Sequence, residues 1–166
     1  MSTPQIDALQ RESRSLKKAF EWAFSIACFL LFSQVSYVPI KAVLFSVGTP
    51  DAMAALAHLG EIAARSLPSV ALLGAIWTAR GLFKAYEGGA VLTPTSGRAV
   101  GRLGDWLTAS GVLALFVGPA SDKMDAVTAA YITTQIVLIG VGLAIRLLGR
   151  VQAIAAEIKA DNEQIV

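Results

Sequence analysis

Two charged side chains border apolar runs, where a group facing lipid is costly. Arg80 closes the uncharged run 66–79, and Asp105 lies near the start of the run 103–121. Ionisable groups at such positions turn toward a partner, a water-filled path or the headgroups. A short connection separates them and sets them at similar depth, so we expect an Arg80–Asp105 ion pair that fixes the fold. Gln34, Thr133, Thr134 and Gln135 are uncharged polar groups within apolar runs. They are expected to bond between helices, worth about 0.6 to 2 kcal/mol each. A polar path at Arg80, Asp105 and Gln135 would suit a small transporter or channel subunit, although a transporter usually buries more polarity. Gly74, Gly111, Gly140 and Gly142 point first to close helix packing.

Little else supports chemistry. His58 and Glu61 supply two metal ligands where a zinc site wants about four. Cys28, the one cysteine, lies inside the first apolar run, so it has no disulfide partner in the chain and reads as a packing residue. No nucleophile elbow or phosphate loop is visible. The expectation is a non-enzymatic chain without catalytic residues, cofactor or metal.

The elements that carry these residues are apolar helices. Hydrophobic residues make up 55% and charged residues 16% of the 166 residues, against roughly 45–50% and about 25% in soluble domains. A helix needs about 20 residues to cross the hydrocarbon layer. The run 19–40 has that length with Glu21 as its one charge, and 126–145 has it with none. The runs 66–79 and 103–121 are weaker, but Arg80 can snorkel and extend the former. We therefore expect one all-α domain over 1–166, an integral membrane four-helix bundle with spans at 19–40, 67–86, 103–121 and 126–148. Pro39 should allow a bend near the far end of the first span. The residues before that span are polar and do not form a signal peptide.

Between spans one and two, Thr49-Pro50-Asp51 is a helix-start signal. Met53, Leu56, Ala57, Gly60, Ala63 and Leu67 follow on one face and His58, Glu61 and Arg65 on another. This predicts a short extracytoplasmic amphipathic helix, on the membrane surface or against the bundle mouth. The connection 121–125 is tight and makes spans three and four antiparallel neighbours. After Gly149 the chain should continue as a cytoplasmic helix over 149–166, with Leu147, Val151, Ile154 and Ile158 at helical spacing. It could lie on the bundle, on headgroups or on a partner.

The cations decide the expected orientation. With four crossings, Arg11, Arg14, Lys17, Lys18, Arg80, Lys84, Arg98, Arg102, Arg146, Arg150 and Lys159 share one side. Lys41, Arg65 and Lys123 take the other. Such a bias places both termini in the cytoplasm.

The connection between spans two and three carries the most distinctive sequence. Gly88 and Gly89 should end one helix and Thr93-Pro94 begin the next, through a basic piece containing Arg98 and Arg102. The order Gly88, Gly89, Thr93, Pro94, Arg102, Gly104, Trp106 resembles a bacterial membrane family catalogued as domain of unknown function 2975. That family carries G-x-x-F-T/S-P, then R-x-L-x-x-x-G-W, and an acidic-Asn-acidic end. Here Leu92 replaces the aromatic and Asp105 intervenes before Trp106. The end is Asp161, Asn162, Glu163, Gln164, Ile165, Val166. The resemblance covers roughly Ser69 to Val166.

It implies a four-span protein of the bacterial inner membrane without established enzymatic activity, some members being encoded beside small helix-turn-helix regulators. The expected function is regulatory or interactive, through the cytoplasmic turn and a partner-binding tail at Asp161, Asn162, Glu163, Ile165 and Val166. Expected partners are the lipid bilayer, a cytoplasmic helix-turn-helix regulator or a membrane protein, and further copies of the chain in a homo-oligomer, without direct nucleic-acid contact. The alternatives are the transporter, then a membrane enzyme, then a soluble helical bundle.

Overall fold

The computed structural model describes residues 3–47, 52–91, 93–119 and 128–163. Helix α1 spans Thr3–Phe32 and passes through a π-helical stretch, Ser33–Tyr37, into α2, Val38–Ser46. Then come α3, Ala52–Glu87, α4, Pro94–Val117, and α5, Ala129–Glu163, with no strand among the described residues. The widened turn falls where a proline disturbs the ladder. Pro39 has no N–H for the Val35 carbonyl, and a π-type turn relieves that mismatch.

Four helices are long and apolar enough to cross a membrane: Ala8–Tyr37, Leu59–Glu87, Pro94–Val117 and Ala129–Asn162. Their packing relies on small residues. The buried apolar residues are mostly small (Ala71, Ala75, Ala79, Leu82, Ala114, Ala156), whereas Trp22, Phe29, Phe116 and Leu147 point outward. Without a hydrophobic drive between helices, small side chains let backbones approach and large ones face the chains of the bilayer.

The helices pack in sequence order, α1 on α3, α3 on α4 and α4 on α5. Each junction is antiparallel. Phe20 meets Phe83 and Phe24 meets Trp77, with ring centroids 5.4 and 5.2 Å apart. The Ser110 hydroxyl donates to the Pro68 carbonyl at 2.9 Å. Along α4 and α5, Gly97 faces Ala153, Gly104 faces Gly142 and Arg146, and Gly111 faces Gln135 and Ile139. Among the described residues α1 does not reach α4 or α5, so the array is a row with α4 between α3 and α5.

The row refines several sequence expectations. The amphipathic stretch after Asp51 is helical, but it is not a separate helix: α3 runs unbroken through Pro68 into span two. A proline removes one ladder bond, here the one to the Ala64 carbonyl, and a long helix tolerates that single loss. Ser110 bonds the carbonyl of Pro68 itself. Gly60, Ala63 and Leu67 remain exposed, so this part of the face is not covered by the other helices. Span three ends earlier than expected, at Val117, where Gly118 takes φ 80° and its N–H bonds Ala114. Span four starts at Ala129, and the tail is its uninterrupted continuation. The connection 121–125 lies outside the described residues.

Candidate functional site

The connection between α3 and α4 is built from local signals. Helix α3 ends in a Schellman arrangement: Ala90 N–H bonds Ala85 and Gly89 N–H bonds Tyr86, both at 3.0 Å, with Gly89 at φ 84°. Helix α4 starts in a capping box. The Thr93 hydroxyl accepts from Ser96 N–H, and the Ser96 hydroxyl accepts from Thr93 N–H, both at 3.1 Å, with Pro94 next in line. The turn is thus fixed by its own backbone bonds before any helix reaches it.

Gln152 joins the tail to that turn. Its Nε2 donates to the Val91 carbonyl at 2.8 Å, with the Tyr86 and Ser96 hydroxyls at 3.4 and 3.3 Å. Beside it, Gly97 and Ala153 meet so closely that a Cβ on Gly97 would lie 2.6 Å from the Ala153 nitrogen. Ala156, one turn further, is buried. The first part of the tail is therefore docked on the turn. Its outer stripe is free of that contact: Val151, Ile154 and Ile158 are exposed, as are Asp161 and Asn162. Glu163 ends α5; Ile165 and Val166 lie outside the described residues.

The polar half of α1 reaches the same end of the array. Glu87, the last residue of α3 and just past the expected span 67–86, accepts from Arg14 Nε at 2.8 Å and Lys17 Nζ at 3.2 Å. These two bonds, Arg14's first, hold its carboxyl below the usual carboxylate range. Ser13 is buried nearby in the sequence.

The expected Arg80–Asp105 pair does not form. Arg80 Nε bonds Glu21 of α1 at 3.0 Å and its guanidinium lies 4.9 Å from the Trp77 ring centre. Asp105 pairs instead with Arg146 of α5 at 3.2 Å. The reason is angular. Trp106 of α4 lies against Gly74 of α3, so Asp105, one residue and about 100° away, turns from α3 and toward α5. Neither pair is sealed from solvent, each side chain being about one-third or more exposed.

Of the turn residues, Gly104 is pressed against Gly142 and Arg146, Trp106 against Gly74, and Arg102 is exposed, as are Arg98 and Arg150. Thr134 bonds Ala130 of its own helix instead of crossing to a neighbour. Gln135 lies apart from Arg80 and Asp105, in a cavity of about 460 Å³ between α3, α4 and α5 at the opposite end of the array. Arg80 and Asp105 do not line the cavity that holds Gln135. Glu61 and Arg65 form an ion pair within α3; the His58 side chain lies outside the described residues, and Cys28 is half-buried. Among the described residues, no three His, Cys, Asp or Glu side chains gather as a metal site.

Sequence reasoning missed Gln152 and Glu87. A polar amide on the inner face of an amphipathic tail, opposite Ile154 and Ile158, was the available signal for Gln152. No family model, no curated protein and no solved structure matches this chain.

Proposed function

We propose that this is a non-enzymatic membrane protein that binds a cytoplasmic partner through the composite surface of its turn and tail. The observation that carries this reading is the Gln152 contact with Val91. It joins the distinctive turn and the tail into one platform and leaves Val151, Ile154 and Ile158 facing outward past the expected span. Arg98, Arg102 and Arg150 flank that platform and are exposed. An apolar stripe bordered by cations suits an acidic, amphipathic helix of a partner. The resemblance to the family of domain of unknown function 2975 favours a helix-turn-helix regulator as that partner, held at a bacterial inner membrane with both termini cytoplasmic. Release would follow when helix packing changes.

The transporter reading is weaker because Arg80 and Asp105 each have a partner on a different helix and neither lines the cavity around Gln135.

Truncation at Gly149 is a poor test, since it removes Gln152 and Ala153 and disturbs the turn itself. The better comparison is a crosslinked pull-down from native membranes with wild type and Ile154→Asp/Ile158→Asp. Loss of a cytoplasmic protein from the variant, with insertion unchanged, supports the platform. Equal recovery from both removes the stripe from the function.

A further inference from the structure

The cavity at the Arg65 end of the array has a graded lining. Its walls come from α3, α4 and α5, and α4 forms the floor because it lies between the other two. Pro68, Ser110 and Gln135 form one layer: Ser110 bonds Pro68, and Gly111 next to it packs on the Gln135 backbone. Arg65 lies about one helical turn nearer the end of the array than that layer. Leu72, Leu138 and Val141 lie further in. The lining thus passes from the Arg65 guanidinium, which is paired with Glu61, to amide to hydrocarbon, in the direction a membrane does.

Most polar groups in the lining are already engaged. Ser110 bonds Pro68, Thr134 bonds Ala130, and the Tyr131 hydroxyl donates to the Ala114 carbonyl at 2.8 Å. Gln135 differs: among the described residues no hydrogen bond reaches its side-chain amide, which is half-buried and borders the cavity. An amide at that depth in a membrane loses its water and gains stability from any acceptor or donor that enters.

We propose that this cavity binds one glycerophospholipid of the adjoining leaflet. Its phosphate approaches Arg65, an ester carbonyl accepts from the Gln135 amide, and one acyl chain runs down Leu72, Leu138 and Val141. A glycerophospholipid places its ester carbonyls a few ångströms below its phosphate, which matches the one-turn offset between Arg65 and Gln135. The volume lies within the roughly 300–1,000 Å³ of ligand sites. The proposal needs the helices to cross a bilayer and is independent of the turn-and-tail platform.

Native mass spectrometry of the full chain in mild detergent tests it, with phosphatidylglycerol and palmitic acid as separate probes. Wild type should retain one phosphatidylglycerol. Gln135→Leu should lower retention roughly three- to tenfold, the weight of one lost hydrogen bond, and Val141→Trp should abolish it by filling the cavity. Leu148→Trp, an exposed position toward the other end, should retain lipid as wild type does. Unchanged retention in Val141→Trp would overturn the proposal. So would palmitic acid held as well as phosphatidylglycerol, or a lipid-free dimer that Val141→Trp dissociates.

Discussion

Among the described residues, Glu87 with Arg14 and Lys17, Glu21 with Arg80, and Asp105 with Arg146 stitch neighbouring helices at one end of the row. The Glu21–Arg80 pair is about one-third exposed on each side, so its coupling is discounted for solvent to about 0.2–1 kcal/mol. A double-mutant cycle with Glu21→Gln and Arg80→Gln, read by detergent unfolding, should give a coupling in that range. Arg80→Gln with Asp105→Asn should give none, because those residues do not meet. Glu87 adds a pH dependence. Its carboxyl is lowered by hydrogen bonds from Arg14 and Lys17. A lowered value means the tie is complete above the ordinary carboxylate value of about 4.3 and is lost as pH falls through the folded one. Protection over residues 8–17, which is the exchange rate relative to the intrinsic rate at each pH, should therefore be full at neutral pH and fall only below the ordinary carboxylate value. In Glu87→Gln the protection should be low throughout.

Helix α4 meets α5 through glycines at heptad spacing, Gly97, Gly104 and Gly111 against Gly142 and Gly149. A Cβ on Gly142 would lie 2.7 Å from the Thr108 nitrogen, and one on Gly97 2.9 Å from the Ala153 Cα. Backbone cannot yield as a side-chain tip can, so Gly142→Ala should destabilise the protein by about 1–3 kcal/mol, the scale of overpacking. Gly140→Ala, where nothing lies within 4 Å, should be neutral or stabilising by up to about 1 kcal/mol from helix propensity. Thermal unfolding of the two variants compares them on one helix. At the α3–α4 junction Gly74 accommodates the Trp106 ring, at 2.7 Å from where its Cβ would be. Gly74→Val should displace that ring and shift the tryptophan emission spectrum.

The whole molecule is a row in which end helices have one neighbour and α4 has two. A row leaves more helix surface exposed than a closed bundle, consistent with Trp22, Phe29 and Phe116 standing outward at 72, 71 and 86% exposure. It also separates the two ends: the Gln152 platform at one, the cavity around Gln135 at the other. Gln152→Leu should loosen the turn without unfolding the spans, seen as faster exchange at 88–97 with unchanged helix content. Because Ala153 and Ala156 still pack, the expected loss is about 0.5–1.5 kcal/mol, one hydrogen bond's worth.

The sequence alone determined the four long apolar helices and the caps of the connection between α3 and α4. Thr93-Pro94, Gly88-Gly89 and the four apolar runs act through bonds and solvent preferences within a few residues, so they can be read without knowing any neighbour. Boundaries blurred where one local rule met another: the amphipathic stretch after Asp51 read as a helix of its own and is the first part of α3, because nothing in the backbone interrupts the ladder strongly enough to end it. Tertiary structure decided who pairs with whom. Glu21 was visible as the lone charge of its run, but its partner is 59 positions away. Gln152 reaches Val91 across 61. Such choices follow from the rotation of each helix about its own axis. Here that rotation is set by where glycines let two backbones touch and where Trp106 needs room.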